Sequence, residues 1–289
     1  MKKVAILGCE NSHAKAFLNC IKDNEKYSDV EVVGVYSEEP AAMEALVSEF
    51  GVHAMTSPDE AVGKIDGLII TARHGSKHYE WAKLYMESGV PMFIDKPVTY
   101  NEEEAIALAR DLKEYNIKFT GGSSVIHAPA LVELADKIAA LPEDDVVYGG
   151  FFRAPVSPES PYGGFSFYSP HLVALVTKIF GNYPESVYAE RVGNRIDGVL
   201  NYGNKKAHFC YTDDSWAYFA CVSHKSGMSG GEVVLIDVYQ AEFDEFYKIL
   251  SGEECTLDVC DFVSSVFIFS AIERAFNSGK IEKVNKIEL

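Results

Sequence analysis

Two residues in this chain could move a proton or stabilise charge on an oxygen: Lys96 and His171. Lys96 stands in Ile94-Asp95-Lys96-Pro97, at the end of an apolar run. A proline disfavours helical angles for the residue before it, so Pro97 directs the lysine side chain instead of letting a helix absorb it. An ammonium held there can hydrogen-bond a hydroxyl or carbonyl oxygen and stabilise charge that builds on it while hydride is transferred at the attached carbon. His171 lies between Pro170 and the apolar run Leu172-Val173-Ala174-Leu175-Val176, where a helix starts. An imidazole titrating near ~6.5 can exchange a proton with an alcohol near neutral pH. The plainer alternatives are a surface lysine before a proline and a histidine capping a helix start.

The elements that must position these residues fall into two groups. Up to about residue 120, short apolar runs alternate with amphipathic segments. Strands are expected at Val4–Leu7, Val30–Tyr36, Val52–Met55, Gly67–Thr71, Pro91–Ile94 and Lys118–Thr120, with helices at His13–Lys22, Pro40–Phe50, Ser76–Glu87 and from Asn101 to about Tyr115. This alternation predicts an α/β, doubly wound parallel sheet of the Rossmann kind. Gly67-Leu68-Ile69-Ile70 does not alternate with polar residues, which suits a strand buried on both faces. Ligands of such sheets bind at the carboxyl ends of the strands, where Lys96 falls.

Beyond Gly122 a helix near Pro129–Ala140, a strand near Val146–Arg153, a Pro/Gly-rich loop and a helix at His171–Phe180 lead into strands at Ser186–Val192, Gly198–Tyr202, Ala207–Tyr211, Trp216–Ser223 and Glu232–Tyr239. Helices near Ala241–Leu250 and Asp258–Asn277 and a short last strand follow. Consecutive strands with brief turns predict an α+β domain with a mostly antiparallel sheet. The expected division is residues 1–121 and 122–289.

The turn after the first strand presents a strand–glycine–helix layout able to offer backbone N–H groups to a diphosphate. Its residues are Gly8-Cys9-Glu10-Asn11-Ser12-His13, so only the first glycine of a Gly-x-Gly-x-x-Gly pattern is present, and the Glu10 carboxylate would repel phosphate. Ser12 and His13 could cap the helix or donate to a phosphate. At the end of the second strand Ser37 replaces the expected acid, with Glu38 beside it and no Arg or Lys nearby for a 2′-phosphate, which tilts the reading to NAD over NADP. Glu38 and Glu39 as solvated charges are the plain alternative.

The chain has 289 residues, enough for two domains, with 47% hydrophobic and 24% charged residues. A net charge of −17 argues against nucleic acid or anionic membrane partners. The N-terminal apolar run is too short for a secretory signal or a membrane span and reads as a strand, which points to the cytosol. The six cysteines form no Cys-x-x-Cys pair and read as buried free thiols, and His74 with His78 lacks a third ligand, so no metal is expected.

Three stretches together resemble the glucose–fructose oxidoreductase/inositol dehydrogenase (Gfo/Idh/MocA) family. One runs from Asp66 through Thr71 to His78, Glu80 and Ala82, then Gly89, Asp95-Lys96-Pro97 and Asn101-Glu102-Glu103. Another is Gly163-Gly164 followed by His171 on a helix ending at Phe180-Gly181, and the last is a helix ending at Gly252 followed by one through Ala271-Ile272-Glu273 to Gly279. The resemblance implies that Lys96 is the catalytic lysine and His171 the catalytic histidine of an NAD(P)-dependent oxidoreductase. It implies a cofactor held by Gly8, Glu10, Asn11, Ser12, His13, Ser37, Glu38, Thr71, Ala72, Arg73, His74, His78, Asp95 and Lys96. It implies a carbinol or carbonyl of a sugar, cyclitol or related polyol as substrate, and a homodimer or homotetramer. Asp95 stands where the family has Glu, and Phe167 where it has an Asp that commonly binds substrate or orients the histidine. Tyr162 or Tyr168 are the candidates to supply that missing polar group, while Phe165, Phe167 and Tyr168 could equally be core. The alternative is a non-catalytic nucleotide- or sugar-binding protein of the same fold.

Overall fold

A computed structural model describes all residues from Met1 to Leu289. The chain forms two compact units: residues 1–122 with 239–263 and Leu289, and residues 123–238 with 264–288.

The first unit is built on five parallel strands in the order β2-β1-β3-β4-β5: β1 Lys2–Leu7, β2 Val30–Tyr36, β3 Gly67–Ile70, β4 Met92–Asp95 and β5 Phe119–Gly122. Helices α1 (Ser12–Asp23), α2 (Pro40–Phe50), α3 (Ser76–Ala82) and α4 (Glu102–Glu114) lie between them in sequence. Val4, Ala5, Ile6 and Leu7 are all fully buried, as a strand covered on both faces requires. The strand order reverses between β1 and β3, which makes their carboxyl ends the switch point of the sheet.

Residues 239–263 were expected in the second domain and pack in the first. Helix α7 (Val238–Leu250) carries Phe243, Phe246, Ile249 and Leu250 into the cluster of Val4, Ile6, Phe17 and Phe93. Burying that apolar stripe is the driving force for the return. Two local expectations also fail. Residues 52–55 form only a single bridge, Ala54 to Val35, and the expected helix to Glu87 tightens into a 3₁₀ segment at Lys83–Ser88.

The second unit holds a seven-stranded sheet, β11-β10-β6-β9-β8-β7-β12. Its strands are β6 Val147–Pro155, β7 Ser186–Val192, β8 Arg195–Tyr202, β9 Lys205–Thr212, β10 Phe219–His224, β11 Gly227–Glu232 and β12 Glu282–Lys283. Only the β6/β9 pair is parallel. Helices α5 (Pro129–Ala139), α6 (Pro170–Phe180) and most of α8 (Val259–Ser278) belong to this unit. Along β9, Ala207, Phe209 and Tyr211 are buried on the side where α6 packs, while Lys206 and His208 are exposed. Tyr148, Phe151 and Met228 line a shallow groove with Lys206 and His208 on that open face.

The expected strand at 232–239 does not form. The two-residue turn Lys225-Ser226 pairs His224 with Gly227, so the ladder is used up at Phe219–Glu232. Val234, Leu235 and Ile236 are left exposed, and Asp237 turns the chain into α7 with φ of 53°. All six cysteines are free, but only Cys9 is buried. No helix is long and apolar enough to cross a membrane.

Candidate active site

Gly8 follows β1 with φ of 87°, and a Cβ there would lie 2.1 Å from the Ala72 amide nitrogen. Only glycine allows the turn to approach the β3 exit so closely. The contact is held by the Thr71 hydroxyl donating to the Gly8 carbonyl at 3.0 Å and by the His78 Nε2 donating to the Ala72 carbonyl at 2.8 Å. His78 is fully enclosed, and burial pulls its pKa down, so it sits there as a neutral imidazole. His74 is half-buried; its Nδ1 accepts the Ser76 hydroxyl at 2.8 Å and its ring lies 5.0 Å from that of Tyr100.

Beyond Gly8 the turn divides its side chains. Asn11 caps α1 and donates through Nδ2 to Asp95 Oδ2 at 3.0 Å, and His13 Nδ1 meets the same oxygen at 2.5 Å. The Lys96 amide donates to Asp95 Oδ1 at 2.7 Å. Burial alone would raise the Asp95 pKa; His13, by charge and hydrogen bond, and then Lys96 bring it below the usual value. Asn11, His13 and Asp95 thus form a buried network under the turn, while Ser12 is exposed at the start of the helix.

Glu10 is directed the other way. Its Oε2 accepts the Ser37 hydroxyl and its Oε1 accepts the Arg73 amide at 2.9 Å. Glu38 is exposed and takes Lys77 Nζ at 2.8 Å. The expectation of no cation near the end of β2 is therefore corrected: α3 brings Lys77 there from far along the chain, already paired with Glu38 and Glu80.

Lys96 is 5% exposed, directly after β4, and the Lys96–Pro97 peptide is cis. Burial pushes its amine below the ordinary lysine value, against the opposing pull of Asp95 and Glu242. Glu242, on α7, is 2% exposed, and neither carboxyl oxygen has a hydrogen-bond partner. Burial and then the charge of Asp95 raise its pKa well above the usual range.

In the second unit His171 opens α6 and is 6% exposed. Its Nδ1 lies 2.8 Å from the Ser123 hydroxyl, and the rings of Tyr168 and Tyr218 flank it at 5.4 and 6.0 Å. Tyr168 continues into Phe167 and Trp216, and Phe167 into Tyr162. Tyr162, Phe167 and Tyr168 are half-buried and Trp216 is exposed, whereas Phe165 is core, packed on Tyr211 and Phe276.

Residues 2–122 match the oxidoreductase family with the NAD-binding Rossmann fold, GFO_IDH_MocA. That match covers the first unit's sheet and helices α1 to α4. No curated protein matches it in sequence. Similar solved structures include GenD2 from gentamicin A biosynthesis in complex with NAD, at 14% identity, 98% and 96% coverage of the two chains and a TM-score of 0.83. A putative myo-inositol dehydrogenase from Sinorhizobium meliloti has 16% identity, 99% and 100% coverage and a TM-score of 0.81. The WlbA dehydrogenase from Chromobacterium violaceum, in complex with NADH and UDP-GlcNAcA, has 14% identity, 99% and 97% coverage and a TM-score of 0.77. At these identities the likeness is one of fold.

Sequence reasoning missed three residues around the candidate site groups. Ser123 lies outside the motifs and reaches His171 only through the fold. Trp216 was read as the start of a strand. Glu242 carried a visible signal: in Tyr239-x-x-Glu242-Phe243-x-x-Phe246 it occupies the apolar stripe of its helix, where an acid is out of place.

Proposed function

We propose that the protein is an NAD-dependent dehydrogenase exchanging hydride with a carbinol or carbonyl carbon of a sugar, cyclitol or related polyol. The observation that carries this reading is the buried Lys96 amine, at the carboxyl end of β4 in a sheet whose Gly8 turn has the close approach of a dinucleotide site. The Gly8 turn, Asn11 and Ser12 would hold the diphosphate at the start of α1. The acid missing from the end of β2 is replaced by Glu10, whose carboxylate sits on Ser37 and would accept ribose hydroxyls. A 2′-phosphate would meet that charge, which favours NAD over NADP.

When bound, the nicotinamide accepts or supplies the hydride. Lys96 binds the reacting oxygen and stabilises the charge developing on it. His171, its Nδ1 held by Ser123, takes the hydroxyl proton in oxidation and returns it in reduction. Tyr162, Phe167, Tyr168 and Trp216 offer ring faces to the C–H surface of a polyol. The solved structures named for inositol and for UDP-GlcNAcA support this substrate class. The reading includes a dimer or tetramer paired through the open sheet face around Tyr148, Phe151 and Met228.

Glu10 also favours a second reading, a binding protein of this fold that turns nothing over, because its carboxylate already holds the Arg73 amide. Calorimetric titration with NADH and NADPH separates the two, followed by a panel of inositols, sugars and sugar acids monitored by NADH absorbance. Tight NADH binding with turnover of one panel member is the expected result. Absence of binding by either cofactor at millimolar concentration leaves only the second reading.

A further inference from the structure

The hairpin that joins β10 to β11 carries a polar cluster that the proposed reaction does not use. His224 ends β10 and is 7% exposed, and Ser229 in β11 is 6% exposed. Ser229 Oγ lies 3.1 Å from His224 Nε2. Asp145, just before β6, places its Oδ1 3.3 Å from His224 Nδ1. Ser226 fixes this acid: its amide donates to Oδ1 at 3.0 Å, and its hydroxyl donates to Oδ2. Ser226 and then His224 hold the Asp145 carboxyl below the usual aspartate value.

The same neighbours decide where the imidazole carries its proton. Nδ1 faces Asp145 Oδ1, which only accepts, and the Ser226 oxygen at 3.0 Å, whose own proton is given to Asp145. Nδ1 therefore bears the hydrogen, and Nε2 turns its lone pair toward the Ser229 hydroxyl. Acid, imidazole and hydroxyl stand in the order and protonation that let a serine act as a nucleophile. Ser229 and Gly231 are two apart on β11, an edge strand, and so share a face. A Cβ on Gly231 would meet nothing within 4 Å. Gly231 lines a cavity of about 260 Å³ with Ala220 and with Glu133, Leu134 and Lys137 of α5. A cavity of that size takes a small acyl group.

From this geometry we propose that the hairpin is a second, hydrolytic site for short-chain carboxylic esters, with Ser229 as nucleophile, His224 as general base, and Asp145 and Ser226 as positioning residues. Ser229 Oγ bonds to the ester carbonyl carbon while its proton passes to His224 Nε2. The ester C–O bond then breaks, and the proton leaves with the alcohol. Water repeats the sequence on the acyl-serine, so one ester and one water give one acid and one alcohol. All these residues belong to the second unit, and the proposal does not depend on the reading of Lys96.

The test is labelling of the full chain with a fluorophosphonate, mapped by peptide mass spectrometry, alongside hydrolysis of p-nitrophenyl acetate. An adduct on Ser229 is expected, and ester hydrolysis is expected to be lost in Ser229→Ala. His224→Gln and Asp145→Asn should slow labelling by about 10²–10⁴-fold. Ser226→Ala should slow it roughly tenfold. Gly231→Leu fills the approach and leaves the three reacting side chains in place, so it should slow labelling too. Near-UV circular dichroism checks folding, and where the His224 or Asp145 variant does not fold, Ser226→Ala and Gly231→Leu decide. The inference is overturned by a parent with no adduct on Ser229, by labelling rates that stay the same in the folded variants, or by ester hydrolysis that persists in Ser229→Ala. NADH binding is expected to be unchanged in Ser229→Ala, so the hydrolytic and dehydrogenase readings stand or fall separately.

Discussion

The hydroxyl of Ser37 donates to Oε2 of Glu10 at 2.7 Å, tying the turn after β1 to the end of β2. The carboxylate at the end of β2, which on the proposed reading faces the ribose, is thus delivered by the glycine turn. Neutralising it with Glu10→Gln should improve NADPH binding relative to NADH roughly tenfold, equivalent to about 1.4 kcal/mol. Calorimetry with both cofactors reads this directly, and an unchanged ratio would remove Glu10 from cofactor selection.

Gly8 and Gly51 both have positive φ, but only Gly8 has backbone in the way of a Cβ; around Gly51 nothing lies within 4 Å. Gly51→Ala should cost about 1 kcal/mol from backbone conformation alone. Gly8→Ala must also displace Ala72, so it should cost several times more and weaken NADH binding. Thermal unfolding of the two variants makes the comparison, and equal losses would mean that the close approach is relieved easily.

Ser123 is expected to act only by holding His171. Replacing His171 with Gln should lower kcat by about 10²–10⁴-fold. Ser123→Ala should cost less, roughly tenfold, by loosening the imidazole. The double variant should be no slower than His171→Gln. A further loss in the double variant would give Ser123 a role of its own.

Asp95 links stability to pH. Its folded pKa is depressed despite burial, by His13 and then Lys96. Its contribution is therefore present above the ordinary aspartate range and lost as pH falls through the depressed value. Asp95→Asn should destabilise the protein by about 3 kcal/mol near neutral pH, because it leaves buried partners of a charge uncompensated. The gap to the parent should narrow on acidification. Urea unfolding across the acid range tests the sign, and a gap that widens toward low pH refutes it.

The parts legible in the sequence were those written locally. Unbroken apolar runs such as Gly67–Ile70 announced a sheet covered on both faces, and Gly8 announced the close turn. What stayed hidden was brought together by topology. Lys77 meets Glu38 because α3 returns beside β2, and Ser123 meets His171 although no spacing rule links them. The apolar run Val233–Ile236 looked like a strand, but the hairpin at Lys225-Ser226 sets the pairing of β10 with Gly227–Glu232 and the run lies past the end of that ladder. The Glu10 charge was visible, but its hydrogen bonds to Ser37 and Arg73 depend on three strand exits lying side by side.

The return of α7 to the first sheet has a consequence for biosynthesis. All five strands of that sheet have left the ribosome once Gly122 is out, yet Phe243 and Phe246, which complete its core, are made only after the strands of the other unit from β6 to β11. Until then the side of the nascent sheet formed by Val4, Ile6 and Phe93 is covered by α1 but lacks the part of its cover that α7 supplies, and nascent chains in that state are open to chaperones and to mispairing. A fragment ending at Gly122 would inherit the same partly uncovered surface.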